Sequence, residues 1–409
     1  MGCCLRVGMR DRLAFKPLDY ASMVGFLAYS SSVTATPICL VAISRELDLS
    51  LSQAGGLEAT RSILVVLVLL ISGYVGARLG KARALGISCL VLGIVMVCYS
   101  FAPGYGALLL ALALVGVGGG VAEALINPLV QELHPEDSGK YLNITNAFWS
   151  IGVLLTMLGT GELLDREVSW RYIVGSLGAV SLIAGILFMS LRRQGRQHQG
   201  ENLSSVMQEK WAILQSGKFW VFTVMMFLGG AAEGAFTFWT ASFIQLSHGA
   251  GARAAGVGVA LFAAGMITAR FAFGAWVPQW RLWDLLFYSA IFGVAASVAI
   301  PLLESLSAVY VGLFLGGVSV ACFWPTLQAY AVDRMRFDPT GVFILLSCGG
   351  IGGFAMVSWV MGIVGDHYGL VSSFWIIPGC LGGLAATLLW ERGGVPRGRT
   401  SEKCGSKSY

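Results

Sequence analysis

Long apolar stretches dominate this chain, and twelve of them are long enough to cross a lipid bilayer. A bilayer core of about 30 Å needs about 20 mostly apolar residues in each helix. Only 12% of the 409 residues are charged, against about 25% in soluble domains, and the mean hydropathy is +0.74. The chain is therefore predicted to be an all-α polytopic membrane protein. The predicted transmembrane helices are residues 19–43, 54–77, 84–102, 105–132, 141–164, 171–191, 219–246, 254–277, 284–303, 307–332, 339–365 and 371–390.

One long polar interruption divides these helices into six and six. Residues 192–218 contain five lysines and arginines, and they are predicted to form a basic cytoplasmic linker. The linker joins an N-terminal half, residues 1–191, to a C-terminal half, residues 219–390. Residues 391–409 form a predicted cytoplasmic tail.

The distribution of positive charge predicts the orientation, because short loops rich in lysine and arginine favour the cytoplasmic side. With a cytoplasmic N-terminus, 21 of the 27 lysines and arginines lie on that side. The other side has four, which are Arg45, Arg166, Arg171 and Arg253. The remaining two, Arg61 and Arg270, lie within predicted helices. Both termini are therefore expected in the cytoplasm, with the protein multi-pass in the plasma (inner) membrane. The net charge of +5 then reflects topology, and no nucleic-acid partner is expected.

Short matching fragments recur about 200 residues apart, in the same order in both halves. This repeat predicts two pseudo-symmetric six-helix halves. The matched pairs are Gly73-Tyr74-Val75 with Gly274-Ala275-Trp276, Pro128-Leu129-Val130-Gln131 with Pro325-Thr326-Leu327-Gln328, and Ser150-Ile151-Gly152 with Gly350-Ile351-Gly352.

Glu123 is a lone carboxylate in the apolar, glycine-rich run of residues 115–128. Ionisable groups at membrane depth are costly and mark functional sites. Because burial disfavours the charged form of a carboxyl group, Glu123 is predicted to load and release protons. Asn127 lies four residues further on the same helix face and is a predicted substrate ligand. The alternative is that Glu123 only hydrogen-bonds to a neighbouring helix.

A second carboxylate, Glu233, lies near the middle of the seventh predicted helix. Phe236, Thr237 and Thr240 follow at spacings of three, four and seven, on roughly the same helix face. A sugar can stack on the ring and hydrogen-bond to the polar groups, so this face is a predicted substrate site, with Phe236 and Thr240 as ligands. Glu233 is also a predicted coupling residue. Its alternative role is a structural hydrogen bond between the halves.

Other polar and aromatic side chains complete the predicted cavity. Trp324 and Gln328 lie four residues apart in the tenth predicted helix, and Tyr29 lies in the first. All three are predicted to bind substrate, although tryptophan is also common at membrane interfaces. Glu58 and Arg61 are three residues apart in the second predicted helix, where we expect a structural ion pair.

The segment from Gly73 to Arg83 resembles the loop 2–3 signature of the major facilitator superfamily, Gly-x-x-x-Asp-Arg-x-Gly-Arg-[Arg/Lys]. Arg78 and Gly80 match it, so gating or structural roles are expected for them and for Arg83. Ala77 replaces the signature aspartate, so the latch that this aspartate is thought to form must be weaker or built differently. Parallel halves of six helices are the architecture of this superfamily.

Within that superfamily the chain is most similar to the fucose permease and sugar:proton symporter branch. The resemblance implies that Glu123 is the protonatable residue and that Asn146 contacts a sugar hydroxyl group. Trp149 stands where fucose permeases tend to have a second amide, and it is a candidate substrate contact. Arg270 resembles the recurring Gly-Arg region of helix 8, which implies a stabilising or gating role. The similar stretches are residues 123–128, 142–152, 230–234 and 323–326.

These observations predict a secondary active transporter that works by alternating access. The predicted activity is proton-coupled symport of a monosaccharide or similar polar solute. One alternative is proton-driven efflux of an amphipathic or cationic compound, and another is a solute receptor with the same fold. The sequence lacks enzyme signatures such as His-Glu-x-x-His, so we expect no catalytic residue, metal or cofactor. The expected partners are a sugar-like substrate, the proton and the lipid bilayer, and the chain is expected to be a monomer.

Overall fold

The computed structural model describes residues 14–134, 138–192, 203–277, 279–335, 337 and 339–393. Within these residues the regular structure is entirely helical. Two short 3-10 turns, Gln279–Arg281 and Ile300–Leu302, flank α10. The helices are α1 (Pro17–Leu47), α2 (Leu51–Leu79), α3 (Lys81–Ser100), α4 (Tyr105–Leu133), α5 (Ser138–Asp165), α6 (Trp170–Leu191), α7 (Leu203–Leu214), α8 (Gly217–Ser247), α9 (Ala252–Trp276), α10 (Leu282–Ala299), α11 (Leu306–Val320), α12 (Phe323–Arg334), α13 (Pro339–Tyr368), α14 (Leu370–Ser373) and α15 (Ile376–Gly393).

The predicted number of membrane-spanning helices is confirmed. Among the described residues, twelve helical stretches are long and apolar enough to cross a membrane, and each overlaps one predicted span. Helices α1–α6 form the N-terminal half and α8–α15 form the C-terminal half. The predicted basic linker contains α7, and its residues 193–202 lie outside the described residues. Residues 394–409 of the predicted tail lie outside them as well.

Two of the predicted spans are broken by proline. The span predicted over residues 307–332 is present as Leu306–Arg334, but it contains a two-residue break, because α11 ends at Val320 and α12 begins at Phe323. Pro325 has no amide hydrogen to donate to the carbonyl of Ala321, four residues earlier, so the helical ladder is interrupted there. The last predicted span has a similar break, between α14 and α15. Pro378 is the third residue of α15, as Pro325 is the third residue of α12.

Glycine allows the helices within each half to approach closely. Gly116 of α4 lies against the backbone of α2. In the C-terminal half, Gly317 of α11 lies against the carbonyl of Phe262 on α9, and Gly353 of α13 lies against Phe227 of α8. Lipid tails are as apolar as the side chains, so helix association in a membrane depends on close packing of this kind.

The two halves meet where α5 crosses α9. A Cβ atom on Gly161 would lie 2.8 Å from the carbonyl oxygen of Ala252, and one on Gly256 would lie 2.5 Å from that of Met157. Any larger side chain at either glycine would therefore push the helices apart. The crossing lies at the end of the bundle opposite to residues 14 and 393, which we call the far end. The end that holds those residues is the terminal end.

A second crossing, between α2 and α13, lies at the same end. A Cβ atom on Gly55 would overlap the carbonyl oxygen of Ser358, and one on Gly362 would overlap that of Leu51. The two crossings obey the internal repeat, because their glycines correspond at an offset of 201 residues. The corresponding pairs are Gly55 with Gly256 and Gly161 with Gly362.

Charged groups reinforce both crossings. Asp366 at the end of α13 accepts hydrogen bonds from the backbone amides of Leu51 at 2.7 Å and Ser52 at 2.8 Å, and so caps the N-terminus of α2. At the other crossing, Arg253 of α9 donates to Glu162 of α5 at 2.5 and 3.0 Å. The far end is therefore closed by both glycine packing and polar contacts between the halves.

We expect Gly161→Val to destabilise this closed state. Overpacking a tight contact costs about 1–3 kcal/mol, so the melting temperature of the purified protein should fall by several degrees. Gly159→Val is the matched control on the same helix, because a Cβ atom on Gly159 would meet nothing within 4 Å. Equal melting temperatures for the two variants would contradict the glycine crossing.

Candidate functional site

A narrow cavity lies between the halves, on the terminal side of the far-end crossings. Residues of α5 form one wall, and residues of α8 and α9 form the other. Its walls are mostly apolar, with one carboxylate and two hydroxyl groups. The lining residues are Trp149, Ser150, Val153, Glu233, Thr237, Val259, Phe262, Ala263 and Met266.

The α5 wall continues toward the terminal end. Asn146 is three and four residues before Trp149 and Ser150, so the three share a helix face. Its side chain is exposed although it lies two turns inside the helix. The space between the halves is therefore reached from the terminal end.

Two of the predicted substrate ligands pair with each other. Asn146 of α5 donates a hydrogen bond from Nδ2 to Oδ1 of Asn127 on α4 at 2.8 Å. The two amides thus form a polar contact between α4 and α5, on the helix face that continues from Trp149 and Ser150.

Glu123 lies one turn before Asn127 on α4 and is half-buried. It interacts with Tyr29 of α1 and Arg61 of α2, and at longer range with Glu233 of the opposite half. Of the predicted site residues, Tyr29 is thus a neighbour of Glu123. The electrostatic effect of Arg61 on Glu123 is not visible in the sequence, because interactions between helices depend on how the helices are rotated.

The expected ion pair between Glu58 and Arg61 is present, and it is almost fully buried. Arg61 Nε donates to Glu58 Oε2 at 3.0 Å, and a second guanidinium nitrogen of Arg61 contacts Glu58 Oε1. Ser62 also donates to Glu58 Oε1, at 3.0 Å. The pair lies two turns inside α2, within the N-terminal half.

Glu233 has a charged neighbour that the sequence did not reveal. Arg270 of α9 lies 3.7 Å from Glu233 Oε1, and its Nε donates to the carbonyl oxygen of Ala321 at 3.2 Å. This carbonyl is the one that Pro325 leaves without a helical partner. The other carboxylate oxygen of Glu233 is buried and has no hydrogen-bond partner in the described part of the chain. Arg270 therefore joins the coupling candidate Glu233 to the break between α11 and α12.

Trp324 and Gln328 are both half-buried and lie against α13. The Trp324 ring packs on Gly350, where a Cβ atom would lie 2.6 Å from Cζ3. Gln328 donates to the hydroxyl group of Ser347 at 2.9 Å. These residues lie closer to the terminal end than Glu233 does.

Phe236 and Thr240 are placed away from the cavity. Phe236 is fully buried and packs against Phe262 and Gly316, with ring centroids 5.2 Å apart in the aromatic pair. Thr240 lies two turns beyond Glu233 toward the closed far end, and it is also fully buried. Both residues lie on the predicted side of α8. They are nevertheless buried, because the bundle is closed at the far end. Thr237, which belongs to the same predicted face, lines the cavity one turn beyond Glu233, and Ser150 supplies the second hydroxyl group.

The segment that resembles the loop 2–3 signature joins α2 to α3 at the terminal end. Gly80 has a φ of 81°, a conformation that favours glycine, and so permits the tight turn. Arg78 is exposed and stacks over the Tyr74 ring at 4.7 Å, and Arg83 is exposed as well. Lys81 pairs with Glu132 of α4, a contact between two helices of the same half.

The family model of the Major Facilitator Superfamily matches residues 21–357, which is most of the chain. The chain belongs to the major facilitator superfamily. As a member of this superfamily it is a transporter, and the twelve apolar helices found among the described residues make it a multi-pass membrane protein.

Two curated relatives match this superfamily member over part of their length. The uncharacterized MFS-type transporter YybF of Bacillus subtilis (strain 168) is 23% identical over 42% of this chain and 43% of that protein. The puromycin resistance protein pur8 of Streptomyces alboniger is 29% identical over 40% of this chain and 33% of that protein. The matches thus span less than half the length of either relative.

Solved structures of superfamily transporters share the fold. The nucleoside transporter NupG is 14% identical, with a TM-score of 0.73 over 91% of this chain and 98% of that one. A D-xylose-proton symporter is 16% identical, with a TM-score of 0.73 over 92% and 97%. A bacterial homolog to the human lysosomal transporter Spinster, in an inward-facing and unoccupied conformation, is 14% identical, with a TM-score of 0.69 over 91% and 94%. At these identities the likeness concerns the fold alone.

The accessibility of the cavity can be tested with Asn146→Cys in a background without the native cysteines. We expect a maleimide to label this position when it is added from the terminal end, because Asn146 is exposed there. Val153→Cys, two turns deeper on the same helix and buried, is the control that should react slowly. Equal labelling from both sides of the membrane would contradict a closed far end.

Proposed function

We propose that this transporter carries out proton-coupled symport of a neutral, hydroxyl-rich solute such as a monosaccharide. The observation that carries the proposal is the carboxylate of Glu233, which lines the cavity between the halves and has one buried oxygen without a hydrogen-bond partner in the described part of the chain. Glu123 belongs to the other half, so the electrostatic interaction between the two carboxylates depends on how the halves are arranged.

Two carboxylates in a membrane interior repel each other and resist being charged together. Uptake of a proton by one of them removes this repulsion. Arg270 offsets the charge of Glu233 in part, but at 3.7 Å it forms no tight pair. Proton binding therefore favours the arrangements in which the halves approach at the terminal end, and this links the proton to the change in access.

The polar groups near the cavity suit a small neutral solute. Ser150 and Thr237 offer hydroxyl groups in the cavity, and the hydrogen-bonded amides of Asn127 and Asn146 continue the polar surface. Trp149 offers a flat aromatic face. A few polar groups within an apolar cavity fix the orientation of a ligand, and an aromatic face stacks on a sugar ring.

The proposed orientation places both termini in the cytoplasm, as the loop charges predict. The described conformation is then inward-facing, with the outer side closed by the two glycine crossings. We further propose a plasma (inner) membrane location and a monomeric transporter. The likeness to the D-xylose-proton symporter and the stretches similar to fucose permeases support a sugar as the substrate class.

A second candidate is proton-driven efflux of an amphipathic or cationic compound. The apolar walls formed by Val259, Phe262 and Met266 favour it, with Glu233 as the partner of a cation. The likeness to a puromycin resistance protein also supports this alternative.

A thermal-shift screen of the purified protein separates the two candidates. A ligand that binds only the native state raises the apparent stability. We expect stabilisation by a monosaccharide or polyol at concentrations above its dissociation constant. Stabilisation by lipophilic cations alone would contradict symport of a neutral solute and would support efflux.

Glu123→Gln tests the coupling role with the solute that the screen identifies. The variant keeps a polar side chain of the same size but cannot exchange a proton. We expect solute counterflow to persist, whereas pH-driven accumulation above the external concentration should be lost. Glu304→Gln is the matched control, because Glu304 is exposed in the connection before α11. Undiminished pH-driven accumulation by Glu123→Gln would rule out its coupling role.

A further inference from the structure

The ion pair on α2 is buried where a purely structural pair has little advantage. Glu58 and Arg61 expose only 1% and 5% of their surfaces. Taking two charges out of water costs several kcal/mol per ion, and packed apolar residues often do as well. α2 crosses the bilayer and already packs on α4 through Gly116. The presence of the pair therefore needs a reason other than packing.

The surroundings of Arg61 indicate that reason. Its guanidinium group interacts with the Tyr29 hydroxyl group of α1 as well as with Glu58. Tyr29 in turn interacts with Glu123 of α4, and Arg61 acts electrostatically on Glu123 as well. Gly119, one turn before Glu123, makes room for the Tyr29 ring, because a Cβ atom there would lie 2.7 Å from its Cε2. Three helices thus bring one cation between two carboxylates.

The charge of this group depends on a single proton. When Glu58, Arg61 and Glu123 are all ionised, the net charge is one negative charge. A proton on either carboxylate makes the group neutral, which is favourable away from water. Both carboxylate oxygens of Glu58 already accept hydrogen bonds from Arg61 and Ser62. Glu123 is therefore the proposed site of the proton.

We propose that Glu58 and Arg61 are positioning residues that set how readily Glu123 takes up a proton, with Tyr29 as the contact between Arg61 and Glu123. Arg61 interacts electrostatically with two carboxylates, Glu58 and Glu123. The strength of its ion pair with Glu58 therefore determines how much it stabilises ionised Glu123. This inference rests on the proposed proton-coupling role of Glu123.

The groups that act on Glu123 come from three neighbouring elements. Within the described residues they are Tyr29 on α1, Arg61 with Glu58 behind it on α2, and Glu233 on α8. The charges of α3, Lys81 and Arg83, lie at the terminal end of that helix. The described carboxylates of α5, Glu162 and Asp165, lie at the far end.

Infrared titration of the protein in lipid vesicles tests the proposal without any substrate. The carbonyl band of protonated carboxyl groups is followed against pH, and the part lost in Glu123→Gln is assigned to Glu123. In Glu58→Gln, Arg61 no longer pairs with a second carboxylate and stabilises ionised Glu123 more strongly. The titration midpoint of Glu123 should therefore fall by about one pH unit or more, the usual effect of a close charge. Arg61→Gln removes the cation, so the midpoint should rise by a similar amount.

The double variant Glu58→Gln/Arg61→Gln is neutral at both positions, and its midpoint should lie between those of the single variants. If Arg61→Gln alone does not fold, the double variant is compared with Glu58→Gln instead, because removal of Arg61 from that background should raise the midpoint. Glu46→Gln is the control, because Glu46 pairs with Arg171 at the far end, and it should leave the midpoint unchanged.

Opposite shifts in Glu58→Gln and Arg61→Gln would support the proposal, since a merely structural pair would lower stability without moving the Glu123 midpoint. A Glu123 midpoint that is unchanged in Glu58→Gln would overturn it and leave the proposed function intact. A Glu123 band that does not titrate in the wild-type protein would remove the coupling role, and this inference with it.

Discussion

The close approach of α4 to α1 and α2 is the constraint on which the site depends. Gly116 lies against the backbone of α2, and Gly119 lies against the ring of Tyr29. Side chains at these positions would hold the three helices apart. Glu123 would then lose the contacts with Tyr29 and Arg61 that surround it. Helix packing and the electrostatics of the site therefore have the same origin, which is a glycine-rich face on one turn of α4 followed by a carboxylate on the next.

Sequence alone predicts the fold well, because the length of an apolar helix is fixed by the bilayer. It also finds Glu123, Asn127 and Asn146, since polar side chains in apolar helices stand out without any knowledge of packing. It does not predict which polar groups meet across helices. The pairing of Glu233 with Arg270 depends on the break at Ala321, and the same sequence pattern around Pro128 leaves α4 unbroken. The effect of a proline is thus decided by its tertiary surroundings.

The seventh membrane helix, α8, shows a different limit. Glu233, Phe236 and Thr240 have the spacing of one helix face, yet only Glu233 lines the cavity. The spacing of residues predicts which side of a helix they occupy. It does not predict how far along the helix the cavity extends, or which residues of neighbouring helices cover that side. Thr240 is buried because the halves close near it, and Phe236 is covered by Phe262. A predicted binding face can therefore be correct in part, and the conformation of the transporter decides which part meets the cavity.

The symmetry of the two halves extends to the crossings but not to the charges. Glycines 201 residues apart close both crossings in the same way, as expected if the halves rock against each other as similar bodies. At the same offset, however, Arg61 corresponds to Phe262 and Arg270 corresponds to Leu69. The charged groups thus differ between halves that otherwise share their design. A repeated scaffold can supply the movement, whereas a single solute and a single proton need a site that is different on its two sides.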